Sequence, residues 1–194
     1  MKNLKNKSVY EILKEKEPLV VASHFDADGC YSAALLSTVF KVKRVYFPWV
    51  FGDYMSIKEK VKDEIVEIPV DVALDLGKPL DDNYRGVVID HHVFVSNPKY
   101  TQIYMDLPTT GIVYCLFKDK IPDKEKWKVV GGMVGDGEPE KIPNEIWDMF
   151  PILLENRGKI YKGTYGKYRE YPYLLYKHLS SPINAMCRNG DPET

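Results

Sequence analysis

At 194 residues, the chain suits one large domain, or one domain with a small appendage. Apolar residues make up 44% and charged residues 28%, the balance of a soluble globular protein, and the longest apolar runs fall far short of the roughly 20 residues a membrane span needs. A net charge of -1, from 27 Lys and Arg against 28 Asp and Glu, lacks the basic excess usual in proteins that grip long nucleic acid, yet leaves a polyanionic substrate open, since metal ions can supply positive charge.

The first residues, MKNLKNKSVYEILKEKEP, are polar and helix-like and do not read as a signal segment, so the cytoplasm is the expected compartment and no membrane partner is expected. Ser8 followed by Glu11 is a capping-box pattern, and Pro18 stops that helix. LVVAS is a short apolar strand. CYSAALLSTVF reads as a helix whose Ala33, Leu36, Val39 and Phe40 share a buried face. VKRVYFPWV is a second strand, and YMSIKEKVKDEIVE reads as an amphipathic helix with a charged outer face. VDVALDLG, GVVIDHH and TQIYMDLP supply three more strands.

From Thr109 the pattern turns helical, through TTGIVYCLFK, KEKWKVVGGMVGDG, NEIWDMFPILLEN and YPYLLYKHL. Continuous apolar runs separated by helices predict a parallel, Rossmann-like α/β sheet of about five strands flanked by helices. Residues 1–108 would form the α/β core, and residues 109–194 a mainly helical part. RGKIYKGTYGKYREYP is the best candidate for a flexible loop. Its tyrosines Tyr161, Tyr165 and Tyr168, with nearby Tyr171 and Tyr173, read as loop packing, with stacking on bases as the other reading.

Cys30, Cys115 and Cys187 are scattered and form no C-x-x-C, which argues against a disulfide framework or a structural zinc site and for buried thiols. His178 fits no motif and reads as a histidine near a helix C-terminus.

In open parallel sheets, ligands bind beyond the carboxyl ends of the strands. This chain places its acids and imidazoles there: His24, Asp26 and Asp28 after the first strand, Asp75 after the third, and Asp90, His91 and His92 after the fourth. Asp136 lies at a helix-to-loop junction in GGMVGDGEP. Singly, each has a plain structural explanation. A D-x-D-G is commonly a turn, and a strand-end Asp commonly caps the next helix. Jointly they converge, and acids that converge need positive charge between them. Carboxylates and imidazoles without thiolates favour Mn²⁺, Mg²⁺, Fe²⁺ or Zn²⁺, and histidine beside acids tilts the choice toward Mn²⁺. The candidate ligands exceed the needs of one ion. Two ions about 3.5–4 Å apart, sharing one carboxylate, would use them, and would suit hydrolysis of a phosphoester or phosphoanhydride.

SHFDADG, DLG, DHH and GDG, in that order, resemble the DHH phosphoesterase superfamily over nearly the whole chain. The resemblance implies a parallel-sheet catalytic domain, usually followed by a smaller substrate-binding domain, with two Mn²⁺ ions between them. It implies Asp26 and Asp136 as ligands of one ion, Asp28 and His91 as ligands of the other, and Asp75 as the bridge. Asp90 matches an acid that assists the metals. His92 matches the histidine that contacts the substrate phosphate and can protonate the leaving oxygen. Pyrophosphatase-like members carry a histidine four residues before the first Asp, where this chain has Ala22. His24, two residues before Asp26, follows the pattern of archaeal RecJ-like nucleases. SSPINAMCRNGDPET resembles the stretch that closes the RecJ catalytic domain, with Asn184 and Arg188 at its substrate-binding polar positions, although a surface salt bridge explains Arg188 equally well. In those relatives this stretch leads to the second domain, so the expectation is a stand-alone catalytic domain or the front part of a longer protein.

The leading expectation from the resemblance is a Mn²⁺-dependent exonuclease acting on single-stranded DNA or RNA from the 5′ end, in DNA repair or replication. A small-nucleotide phosphodiesterase acting on very short RNA, a cyclic dinucleotide or 3′-phosphoadenosine 5′-phosphate is the alternative. A non-catalytic scaffold that binds replication-complex proteins is the third, and the acid cluster gives it the least support.

Overall fold

The computed structural model describes residues 8–48, 52–62, 64–81, 83–96, 98–155, 161–162, 168–169 and 175–189. Its centre is a five-stranded sheet of β1 (Leu19–Ser23), β2 (Val42–Tyr46), β5 (Val72–Leu74), β6 (Val87–Asp90) and β7 (Thr101–Tyr104), all parallel, in the order β2-β1-β5-β6-β7. These are the five strands predicted. Three of them, β1, β5 and β6, are buried at every residue, as expected for strands covered on both faces.

Alternation along the strands splits the core in two. Leu19, Val21, Val72, Leu74, Val87 and Ile89 pack under helices, including α1 (Val9–Lys16), α2 (Ala27–Val39), α3 (Thr109–Phe117) and α4 (Lys128–Gly135). Val20, Ala22, Ala73 and Val88 face the other way, onto Tyr54, Ile57, Tyr84 and Tyr100. The capping box forms as predicted: Ser8 Oγ accepts from Glu11 N, and Glu11 Oε2 accepts from Ser8 N at 2.8 Å. Ala33, Leu36 and Phe40 are buried together, with Val39 partly buried against the same core.

The segment predicted as an amphipathic helix, Tyr54 to Glu67, is instead a hairpin. Strands β3 (Ser56–Val61) and β4 (Glu64–Pro69) pair antiparallel with Val61 opposite Glu64. Lys-Glu spacing satisfies a helix face, but the β-branched residues Ile57, Val61, Ile65, Val66 and Ile68 favour extended backbone. Lys62, at φ 58°, makes the tight turn that a two-residue hairpin loop needs.

The stretch from Asn144 is two helices, α5 (Asn144–Met149) and α6 (Pro151–Glu155), because Phe150 precedes a proline and leaves the helical region at φ -126°, ψ 66°. A short ladder pairs β8 (Tyr161–Lys162) with β9 (Tyr168–Arg169) inside the predicted loop, whose remaining residues lie outside the described ones, as do the side chains of its tyrosines. His178 sits in a π-helical turn, Tyr176–Ser180, that runs straight into α7 (Ser181–Asn189), so no helix ends there as predicted. Cys30 is half-buried and Cys115 exposed, not buried as expected. Among the described residues, no helix is long and apolar enough to cross a membrane.

Candidate metal centre at the carboxyl edge of the sheet

The strands β1, β5 and β6 end level. Ser23 pairs with Leu74, and Leu74 with Ile89. The next residue of each strand therefore falls in one row: His24, Asp75 and Asp90, with Tyr104 of β7 level with Asp90. Backbone bonds hold the row, from His24 N to Leu74 O at 3.0 Å and from Asp75 N to Ile89 O at 3.1 Å. The chain reverses its sheet order at β1 and β5, the switch point where open α/β sheets leave a crevice.

Asp75 is at the middle of this row. It is 1% exposed and stands at φ 60°, a left-handed conformation that ordinary residues avoid. Such strain, of about 1–3 kcal/mol, persists where the surroundings fix it. Asp75 belongs to two groups of side chains able to hold a cation. His24, Asp26 and Asp75 have ligand atoms all within 4.8 Å of one another, and so do Asp75, His91 and His92. The Thr109 hydroxyl donates to Asp75 Oδ1 at 3.1 Å.

Asp26 caps α2. Its Oδ1 accepts from Gly29 N at 2.9 Å, while Oδ2 lies 3.0 Å from His24 Nδ1. The glycine of D-A-D-G is dictated by crowding, because a Cβ at Gly29 would lie 2.2 Å from the backbone oxygen of His24. D-A-D-G is thus the cap and first turn of a helix, and Asp28 lies inside it. Asp28 is almost wholly buried and accepts from Thr109 N at 2.7 Å and Thr110 N at 2.9 Å. Helix α3 begins after Pro108, which offers no side-chain cap, and Asp28 provides the acceptors from a helix 81 residues earlier in the chain.

The DHH residues differ sharply from one another. Asp90 is fully buried, and accepts from Gly77 N at 2.8 Å and His92 N at 2.7 Å; its Oδ2 lies 3.2 Å from His92 Nδ1. His91 points its Nε2 into acids: Asp75 Oδ1 at 3.3 Å, Asp28 Oδ2 at 3.9 Å and Asp136 Oδ2 at 3.9 Å. That nitrogen is buried and makes no hydrogen bond among the described residues. Asp136 ends α4, whose Gly135 lets the helix press on α2; a Cβ there would meet Ala27 Cβ at 2.6 Å.

Without a cation, these groups share protons. Burial pulls His24 down, but Asp26 and Asp75 outweigh it and lift it to about 10. Burial likewise opposes the charges of Asp75, Asp136 and Asp28 at His91, which ends at about 9. His92 is raised, first by its bond to Asp90, against the pull of burial. Burial, aided by Asp75, pushes Asp28 well above the carboxylate range and, despite His91, lifts Asp136 to about 6. Burial also pushes up on Asp26 and Asp90, but the bond from His24 holds the first below that range, and the bonds from His92 and Gly77 hold the second there.

The residues fit divalent cations. They offer hard oxygens with imidazole and no thiolate, two three-residue groups sharing one carboxylate, and a buried nitrogen with a lone pair to give in its neutral form. The grouping differs from the pairing that the resemblance implies. His24 joins Asp26 and Asp75 directly, whereas Asp28 and Asp136 stand one step back, beside His91. Asn184 lies at the rim, where its Oδ1 accepts from Ala27 N at 2.7 Å and fastens α7 to the turn carrying Asp26. The Arg188 side chain lies outside the described residues. Thr109 and Thr110 were not read from the sequence as site residues. Their signal was LPTTG, hydroxyls opening a helix after one more strand of the same sheet.

No family model matches the chain, and no curated protein matches it in sequence. Among solved structures, it is similar to an exopolyphosphatase-related protein from Bacteroides fragilis, at 18% identity and a TM-score of 0.40, covering 70% of this chain. The chain spans about half of that protein, 51% of its length. A likeness at this level carries no functional weight, which rests on the side chains.

Proposed function

We propose that the chain is a phosphoesterase that works with two divalent cations, most suitably Mn²⁺, and that its reaction is hydrolysis of a nucleotide phosphodiester at the end of a single strand of DNA or RNA. The observation that carries this reading is Asp75, strained, buried and common to both cation-holding groups. His24 and Asp26 would hold one cation with Asp75, and His91 the other, with Asp28 and Asp136 beside it; His92, the third member of that second group, is engaged by Asp90 at 3.2 Å and is assigned to the substrate instead. Bound there, two divalent ions would acidify a water molecule and neutralise phosphoryl oxygens.

The chain's own residues supply the rest. Asp90 fixes the ring of His92 through Nδ1, which leaves Nε2 to carry a proton toward a leaving oxygen. Thr109 orients the Asp75 carboxylate, and Asp28 anchors α3 so that Thr109 keeps its place. Asn184 and Arg188 on α7 are the proposed substrate contacts. Polarity from the 5′ end is what the RecJ-like resemblance implies, carried by the offset of His24 from Asp26 and by the INAMCRNGD stretch, and no spacing in this chain demands it.

The test is incubation with Mn²⁺ and a panel of single-stranded DNA and RNA labelled at the 5′ end, a dinucleotide, a cyclic dinucleotide and pyrophosphate. Release of the 5′ label as a mononucleotide, abolished by chelator, is the expected result, whereas a ladder of shortened strands that keep the label would place attack at the 3′ end. Cleavage of only the dinucleotide or cyclic dinucleotide would replace the exonuclease with a small-nucleotide phosphodiesterase. No cleavage of any member would overturn the hydrolase reading.

A further inference from the structure

Immediately beyond the DHH motif, the chain exposes apolar surface beside the site. Phe94 is 67% exposed, Tyr104 41% and Val93 43%. The two rings meet edge to face, with centroids 5.7 Å apart and planes at 62°. Exposed loop aromatics are often incidental, but this pair is built. Gln102 of β7 clamps the loop with both ends of its amide: Nε2 donates to Val93 O at 2.7 Å, and Oε1 accepts from Val95 N at 3.0 Å. That clamp fixes the backbone on both sides of Phe94. The position is equally fixed relative to the row of site residues. Tyr104 is level with Asp90, and Phe94 follows His92 by two residues, about 7 Å of extended chain.

Resting on the phosphoesterase reading above, we infer that Phe94 and Tyr104 form a stacking platform for the nucleobase attached to the phosphate at the metal centre, so that the substrates are base-bearing phosphoesters and not inorganic polyphosphates. Every base has a π-face, so a platform of this kind accepts bases with little sequence preference. An inorganic chain of phosphates has nothing to place there. Near-neutral net charge agrees with this division: the bond to be cut is held by the cations, and the neighbouring base by the rings. Gln102 is a positioning residue that acts through Phe94.

The test compares two 5′-phosphorylated dinucleotides, one with 2-aminopurine as its 5′ base and the other abasic at that position. Affinities are measured by calorimetry with and without Mn²⁺, and stacking by quenching of 2-aminopurine fluorescence. The wild type is expected to prefer the base-bearing dinucleotide by roughly tenfold and to quench it. Phe94→Ala should lose both preference and quenching, Phe94→Trp should keep them, and Gln102→Ala should reduce them. Phe94 is largely exposed, so its substitution leaves the core intact, and circular dichroism checks this. Equal affinity of the wild type for the two ligands, no binding of either, or unchanged preference in Phe94→Ala would each overturn the platform. Hydrolysis of the same ligands runs in parallel. Preference without cleavage would refute the phosphoesterase and leave the platform standing, whereas cleavage without preference would do the reverse.

Discussion

The two halves of the site, one built on β1 and one on β6, meet at Asp75 but are stiffened differently. On the β1 side, Asp26 is at once a helix cap and a member of the cation-holding group, and Asp28 behind it bolts α2 to the first amides of α3. On the β6 side, Asp90 is spent wholly on backbone amides and on His92, and the histidines face the cluster. Each half thus has an aspartate engaged by neighbouring amides, Asp28 in one and Asp90 in the other, and further side chains turned toward the shared centre, His24 and Asp26 in the first and the histidines in the second. An acid cluster therefore cannot be read as a uniform set of ligands; part of it holds the remainder in place.

Asp75→Asn should break both halves at once. Asn, like Asp, tolerates a left-handed backbone, so the fold should survive, although in chelator it should lose the part of its stability that protonated His24 and His91 gain from the Asp75 charge. A neutral amide cannot hold two cations together, so turnover should fall at least about 100-fold, roughly 2.7 kcal/mol of transition-state stabilisation. Steady-state hydrolysis at saturating Mn²⁺, beside a thermal melt, checks this. Near-wild-type turnover would remove Asp75 as the shared ligand.

Within the β6 half, the adjacent histidines should separate. His91 directs a buried nitrogen at three carboxylates, while His92 is tied to Asp90. His91→Ala should weaken Mn²⁺ binding by at least about tenfold, and His92→Ala should leave binding nearly intact while slowing hydrolysis. Calorimetric titration of both variants decides the matter, and equal losses of affinity would refute the division.

Much of this was legible in the sequence, for physical reasons. Buried parallel strands are continuous apolar runs, and the rule that ligands gather past their carboxyl ends turned LVVASHFDADG, ALDLG and VVIDHH into a site. The hairpin was misread because Lys and Glu spacing in YMSIKEKVKDEIVE fits a helix face as well as alternate strand positions. The bond from Asp28 to Thr109 and Thr110 was not legible, since nothing local links residues 81 apart in sequence. Phe94 was missed because an apolar residue just past a strand end looks like core, and only the structure shows it in solvent.

Asp28→Ala and Asp90→Ala should both destabilise, because the first strands two buried backbone amides and the second strands those of Gly77, His92 and Val93, at a cost of about 2–5 kcal/mol. Their functional signatures should differ. Asp90→Ala should slow hydrolysis through the loosened His92 ring with little change in Mn²⁺ affinity, whereas Asp28→Ala should displace Thr109 and weaken Mn²⁺ binding through Asp75. Urea denaturation and metal titration of both variants test this. The same loss of Mn²⁺ affinity in both would erase the distinction between the halves.

The smallest expected effect is on the pH dependence of stability, and it should change with metal. In chelator, His24 and His91 are raised from 6.5 to about 10 and about 9, so their stabilising contribution is complete below about 6.5 and is lost as pH climbs through those values. Asp136, raised from 3.8 to about 6, acts in the same direction across its own lower window. The metal-free protein should therefore melt at a lower temperature at pH 9 than at pH 6. Mn²⁺ needs neutral imidazoles, so its stabilisation should grow over the same interval and narrow or reverse the difference. Melting curves at both pH values, with chelator and with saturating Mn²⁺, measure this. A melting temperature in chelator that rises from pH 6 to pH 9 would show that the histidines do not carry the charge balance of the empty acid cluster. An unchanged slope on adding Mn²⁺ would show that the cation does not bind through them.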